Sequence, residues 1–287
     1  MITTIRSSSL SKYPDCARRW AAQMLRAEVT DAGYTLTSPP KTIAAPVGTG
    51  VHGGAAHLLR CKMERGALIA ADYTDACDVA IAELHNAIGE GDIFLDDMTP
   101  TRTIAELQVV KMLGAYAGQV VPFIDPLVVE ERMEANCCWD KNGEPSLVLS
   151  GQGDNLCRSP NGLRDLKTGA RAGGNHKPQL GSYSLLFRTA GFDVHECCID
   201  FVQRVKIDKP QPPVLTTAYN VGACEVAARR IIDHISRDLT LFRDGDPDVF
   251  IQAGDPWAFS ANPSSILCSA KWCSAYGTNF CTEHKEV

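Results

Sequence analysis

The sequence predicts an α/β fold whose mixed sheet is laid down in the order helix, three strands, helix, strand, with a helical part before it and a cysteine-bearing tail after it. Three observations carry this. Apolar residues recur at helical spacing up to about residue 120, and strand-like runs replace them over 127–167. Two turn signatures, Asp140-Lys141-Asn142-Gly143 and Ser159-Pro160-Asn161-Gly162, separate those runs. The size and composition, 287 residues with 45% hydrophobic and 22% charged, belong to a globular chain able to bury roughly three quarters of its extended surface.

The elements follow in order. Ser7, Ser8 and Ser9 offer N-caps for a short turn that Pro14 interrupts, and a helix follows through Trp20 and Leu25. Residues 50–65 and 73–88 read as two more helices, closed by Gly66 and Gly89. Over 101–120, Ile104, Leu107, Val110, Leu113 and Tyr116 recur in helical register. Strands are expected at 127–136, 146–151 and 163–167. A glycine-rich loop at 169–174 leads to a helix at about 178–189, ended by Gly191, and to a strand at 195–205. The last helix carries Ala228, Ile231, Ile235, Leu239 and Phe242 on one face. No composition shift marks a boundary. One unit over 1–287 is expected, with a helical part at 1–100, a core at 101–210, and a last helix and tail at 211–287 that close onto Cys16.

Lys and Arg number 28 against 34 Asp and Glu, a net charge of −6. This argues against a bulk-basic nucleic-acid coat but leaves room for a local basic groove. The most apolar stretch, 115–129, is broken by Gln119, Pro122 and Asp125, so no membrane span is expected. The opening residues lack a signal-peptide apolar run, which places the expected compartment in the cytoplasm. Twelve cysteines in a reducing compartment are not read as disulfides. Seven of them, including Cys61, Cys77 and Cys224, sit in element-like segments as small buried hydrophobes.

Chemistry concentrates in the middle of the chain. In Asp165-Leu166-Lys167-Thr168-Gly169, a strand puts Asp165 and Lys167 on one face and turns Leu166 into the core. A return from Asp154, in Gly151-Gln152-Gly153-Asp154, would bring two aspartates together. Paired carboxylates repel unless a cation sits between them, and hard divalent ions such as Mg²⁺ or Mn²⁺ accept that oxygen-rich set. A lysine beside such an ion orients water or stabilises charge on a phosphorane. An aspartate and a lysine two apart are common as a strand-end ion pair. Their context sets these apart: Gln179 and Tyr183 share a helix face after the glycine-rich loop, and His52 follows Gly50-Val51 in an upstream helix.

Taken together, G-x-x-D, D-x-K-T-G, Q-x-x-x-Y and the upstream histidine helix resemble the RecB-type branch of the PD-(D/E)XK nuclease superfamily. The expected element order agrees with that superfamily's αβββαβ core, restriction-endonuclease-like in class. The resemblance implies that His52, Asp154 and Asp165 bind metal, with the Leu166 carbonyl as a further ligand. It implies that Lys167 is the catalytic lysine and that Gln179 and Tyr183 position the DNA strand or the lysine. A further acid often stands on the first strand, and either Glu130 or Glu131 matches it.

The tail holds Cys268, Cys273 and Cys281, with gaps of four and seven residues that fit a zinc site only loosely. Cys16, in Asp15-Cys16-Ala17-Arg18-Arg19-Trp20, supplies a fourth thiol. One N-terminal and three C-terminal cysteines resemble the iron–sulfur subset of RecB-type nucleases, which takes in AddB, CRISPR-adaptation nucleases and, by its tail, phage exonucleases. That resemblance implies a structural [4Fe–4S] cluster on these four. The family often has a shorter gap between its second and third cysteines. Joining residue 16 to residue 268 closes a loop of about 250 residues, where restriction of the unfolded chain is greatest in principle. Arg18, Arg19, Lys167, Arg171, His176, Lys177, Arg204, Lys206 and Lys209 are candidates for a DNA channel, of which the glycine-rich loop over 168–177 is the strongest part. The expectation is a metal-dependent DNA exonuclease of recombination, repair or phage DNA metabolism. The alternatives are a nuclease subunit with recombination or CRISPR-adaptation protein partners, and an iron–sulfur DNA-end-binding module without turnover.

Overall fold

The computed structural model describes residues 2–140, 142–158 and 162–284. A short strand β1 (Thr3–Arg6) runs into α1 (Ser7–Leu10), and α2 (Ala17–Met24) and α3 (Arg26–Asp31) follow. The Cys16 sulfur caps α2 by accepting the Arg19 amide at 3.4 Å. Next come α4 (Ala44–Arg65), α5 (Ala70–Ile88) and α6 (Arg102–Gln119). Helix α4 starts six residues ahead of the expected point because Pro46 falls in its first turn, where no amide hydrogen is required.

Helix α6 corrects the expected register. It buries Ala105, Gln108, Val109, Met112, Leu113 and Tyr116, while Leu107 is 48% exposed. The helix is apolar on more than one side, so periodicity alone does not select the inward face. Gln108 is buried because its amide group donates to Met98 O and Val205 O, both at 2.8 Å, and accepts from Thr99.

The sheet comprises β1, β2 (Pro126–Trp139), β3 (Pro145–Cys157), β4 (Gly162–Gly169), β5 (Glu196–Gln203) and β6 (Leu215–Tyr219), in the order β1-β3-β4-β5-β6 with β2 also paired to β3. Helix α7 (Lys177–Thr189) connects the parallel strands β4 and β5, and α8 (Val221–Asp244) follows β6. Strands β2 and β3 form a long antiparallel hairpin. At its tip Asp140 Oδ1 accepts the amides of Asn142 and Glu144, and Gly143 takes φ 81°, as the turn signature requires; Lys141 lies outside the described residues. Ser159, Pro160 and Asn161 of the second expected turn also lie outside them. Strand β3 runs to Cys157 instead of stopping at 151, which places Asp154 inside a strand. Strands β1 and β6 were not expected: each is short, and four of the five β6 residues are exposed, so neither shows an apolar run.

Helices cover both faces of the sheet. Helices α4, α5 and α6 share an apolar cluster with Val129, Leu166 and Val202. On the other face Tyr183 and Phe187 of α7 pack with Leu163, Cys197 and Ile199. A third cluster joins Leu147 and Leu149 to α1–α3, α8 and the tail, through Trp20, Ile235, Phe259 and Phe280. The expected apolar face of α8 is buried throughout. The tail docks on the N-terminal part through backbone bonds, Thr37 N to Ser274 O at 2.8 Å and Arg18 N to Ser260 O at 3.0 Å. Among the described residues no helix is long and apolar enough to cross a membrane.

Candidate functional site

A fork in the sheet builds the site. Strands β3 and β4 pair only at Asn155↔Arg164 and Leu156↔Leu163 and then part. The Asp154 side chain fills the gap, its Oδ2 accepting the Leu166 amide at 2.6 Å in place of a ladder bond. Two glycines set the depth of that fork. A Cβ at Gly153 would press 2.9 Å from the Phe187 ring, and one at Gly151 would collide with Leu186 and Tyr183, so α7 lies directly against β3.

Around the fork four elements contribute donors. Helix α4 brings His52 Nδ1 to 3.2 Å from Asp154 Oδ1. Glu130 of β2 stands across from Asp154, and His52, Glu130 and Asp154 each offer a donor atom within 4.8 Å of the others. Of the two acids left open, the structure brings in Glu130, which has a left-handed backbone at φ 48°; Glu131 is exposed. A non-glycine residue in that region is a local strain the surrounding fold must hold. Strand β4 places Asp165 and Lys167 on one face as expected, Lys167 Nζ lying 2.6 Å from Asp165 Oδ2, and Leu166 is buried. Asp165 stands outside the 4.8 Å group but near enough to Asp154 to feel its charge. Leu166 meets Asp154 through its amide nitrogen.

From α7, Gln179 Nε2 donates to Tyr183 Oη at 3.0 Å, and both side chains are buried. Burial raises the Tyr183 phenol pKa, and Asp165 and Asp154 raise it further.

The carboxylates titrate apart. Burial, and then the charge of Asp154, pushes Asp165 up to about 6 against the pull of Lys167. Burial would also raise Asp154, but His52, Lys167 and the Leu166 amide outweigh it and hold it below the usual range. Burial works against protonation of His52, yet Asp154 more than compensates and its pKa is raised. Glu130 is raised by burial and by Asp154. Asp165 Oδ2 is fully buried, with Lys167 Nζ 2.6 Å away. An imidazole and several converging carboxylates make a set that a hard divalent cation fits.

Cys16, Cys268, Cys273 and Cys281 line one small pocket between the start of α2 and the tail. None of the four is in a disulfide. A single tetrahedral zinc would draw its sulfurs to about 3.8 Å of one another. Among the described residues no three of these sulfurs lie within 4.8 Å. Arg18 and Arg19 are buried here, Arg18 beside Cys281 and Arg19 near Cys273.

Of the basic residues named from the sequence, Lys167 is at the fork. Arg204 is tied to Asp96 at 2.6 Å and is buried, so it is a structural cation here. The sequence reading passed over Arg60, whose Nη2 lies 3.5 Å from Glu130 Oε2; its eight-residue spacing from His52 is the one signal for it.

The model of the PD-(D/E)XK nuclease superfamily matches residues 7–273 of the chain. Among solved structures the chain is similar to a Eubacterium rectale protein described as a "putative exonuclease", at 10% identity over 85% of this chain and 83% of that one, with a TM-score of 0.51, a likeness of fold. Similarity to the structure of SSO0001, at 12% identity over 75% of this chain and 87% of that one, has a TM-score of 0.33 and carries no argument. No curated protein matches.

Proposed function

The chain belongs to the PD-(D/E)XK nuclease superfamily, and from that premise we propose that it is a metal-dependent deoxyribonuclease acting as an exonuclease at DNA ends, in the cytoplasm, in recombination, repair or phage DNA metabolism. The observation that carries this reading is the convergence on one strand fork of His52, Glu130, Asp154 and the Asp165–Lys167 pair. His52, Glu130, Asp154 and Asp165 would hold Mg²⁺ or Mn²⁺, with the Leu166 carbonyl as a further oxygen. Such an ion supplies neutralisation of the attacked phosphate and acidification of water.

The chain's own groups do the rest. Asp165 would share the ion with Asp154, its charge offset there by that ion and by the Lys167 ammonium. Lys167 sets an ammonium beside that carboxylate, where it orients the water and offsets charge growing on the phosphoryl oxygens. Gln179 donates to Tyr183 and so fixes the phenol, whose own hydrogen is left to hold the DNA strand. The hydrophobic support under Leu166 and Phe187 keeps these groups from drifting.

Cys16, Cys268, Cys273 and Cys281 are assigned a [4Fe–4S] cluster with a structural role. The shared pocket and the buried arginines beside it support this.

End-labelled single- and double-stranded linear DNA, with each end blocked in turn, tests the reading. Mn²⁺- or Mg²⁺-dependent shortening by wild type, absent in Asp165→Ala, is expected. DNA bound but never shortened by the wild type would instead favour a binding module.

A further inference from the structure

The acid cluster has a second cation at its rim, and the mechanism above does not use it. Arg60 lies eight residues beyond His52 on α4, in the row of every-fourth residues that includes Ala56, so both approach the same side of the helix. Long side chains on a helix lean toward its N-terminus, which carries the guanidinium of Arg60 back toward His52 and β2. It ends 3.5 Å from Glu130 Oε2.

That contact is not a strut. It is long and single, whereas Arg164 grips Asp200 with two bonds of 2.9 and 2.6 Å. The Arg60 side chain is 47% exposed, and pairs at such exposure contribute little to stability. Glu130 is placed by its strand and by its left-handed backbone, so the arginine is not what positions it. Together with His52, Arg60 offsets the charge of Glu130 from the solvent side.

A carboxylate oxygen committed to a divalent ion loses most of its attraction for a neighbouring guanidinium. Once Glu130 is so committed, Arg60 stands at the mouth of the site with its planar fork of donors free. The nearest anion of matching geometry is a phosphate of the DNA entering the fork. We propose that Arg60 is a phosphate-positioning residue that exchanges Glu130 for the DNA backbone when Glu130 engages a divalent cation, so that cation and DNA bind cooperatively through it. This rests on the nuclease reading and adds to it a residue that couples the two ligands.

The test measures binding of a fluorescent single-stranded oligonucleotide in EDTA and in Ca²⁺, for wild type, Arg60→Ala and Arg60→Lys, and titrates Ca²⁺ alone into each protein. In wild type, Ca²⁺ tightens DNA binding. In Arg60→Ala that gain shrinks about tenfold, the weight of one charge-assisted phosphate contact. In EDTA the same variant binds DNA within about twofold of wild type, because there Arg60 is occupied by Glu130. Without DNA, Arg60→Ala takes up Ca²⁺ a few-fold more tightly, a competing cation having been removed. Arg60→Lys restores the competition with Ca²⁺ and only part of the DNA gain, since an ammonium lacks the fork.

A gain from Ca²⁺ that is the same in Arg60→Ala as in wild type, or Ca²⁺ binding that weakens in that variant, overturns the proposal alone if wild type still degrades DNA. A wild type that shows neither a Ca²⁺ gain nor Mn²⁺-dependent degradation overturns the nuclease reading along with it. A purely structural Arg60 would lower the melting temperature and leave the ratio of the two DNA affinities unmoved.

Discussion

Gly181 lies on α7 between Gln179 and Tyr183, and α7 meets α8 at that point with almost no space. A Cβ at position 181 would fall 2.7 Å from Glu225 N, and the carbonyl of Cys224 sits closer still. Real Cβ contacts essentially never go below 3.0 Å, and these neighbours are backbone that cannot rotate away. Gly181→Ala therefore has to push α7 off α8 by roughly an ångström in a close-packed layer. Overpacking of this kind costs about 1–3 kcal/mol and more where backbone is struck, while alanine returns at most about 1 kcal/mol of helix propensity. The net loss is set at about 2 kcal/mol, a fall of roughly 4–8 °C in melting temperature for a chain of this size. The same substitution at Gly118, also helical but with nothing within 4 Å of an added Cβ, is the control. Gly118→Ala should gain up to about 1 kcal/mol. Differential scanning calorimetry of both variants reads the two signs, and nuclease activity of Gly181→Ala should fall as Gln179 and Tyr183 shift. If Gly181→Ala melts at or above wild type, α7 and α8 do not approach as described, and the support of the site is misjudged.

Other outcomes follow from the site. Because Asp165 holds its proton up to about pH 6 in the fold, the metal-free protein is most stable when this carboxyl is protonated, and it loses that stability as pH rises from about 4 through 6. Asp165→Asn should thus abolish activity yet raise the EDTA melting temperature at pH 7, by a stability on the order of 2 kcal/mol. That advantage should vanish near pH 4, and a variant less stable than wild type at both pH values would contradict the assignment. Glu130→Gln should weaken Mn²⁺ binding at least about tenfold, and Glu131→Gln should leave it within about twofold; calorimetric titration separates the two, and equal losses would leave the strained position without a role. Cys16→Ala should cost the brown colour and bound iron, or solubility; a soluble, fully active, brown variant removes Cys16 from the ligand set.

How far the site was readable from the sequence depends on where its information lies. Asp154, Asp165, Lys167, Gln179 and Tyr183 are legible as a set through the family motifs they match, and the structure brings them to one fork. Glu130 could not be separated from Glu131, because the choice depends on a φ of 48° that no strand pattern encodes. Arg60 carries no signal beyond its eight-residue spacing from His52, since its significance comes from β2, seventy residues away. The helical segments are legible with blurred ends, and α4 begins six residues ahead of its expected start because a first-turn proline such as Pro46 is tolerated. The α6 span is legible from its apolar recurrence, but its inward face is not, because a buried glutamine counts against burial in any hydropathy pattern while three hydrogen bonds make it the right residue there. Strands β1 and β6 escaped because they are held by ladder bonds to β3 and β5 rather than by apolar side chains of their own.

The division of the interior into separate apolar clusters has a consequence for how the chain emerges from a ribosome. The cluster beneath α4, α5 and α6 is complete once residue 202 is available, so the helices and strands that carry the acids can assemble while synthesis continues. The cluster around Trp20 needs Phe259 and Phe280, and its thiol pocket needs Cys281. Until those last residues are translated, α2 and α3 wait with their apolar sides uncovered, the state in which nascent chains are most open to aggregation and to chaperones. A product terminated between these two points would thus hold a shaped, acid-bearing fork on a molecule whose opening helices remain unsheltered, leaving quality control a handle on it.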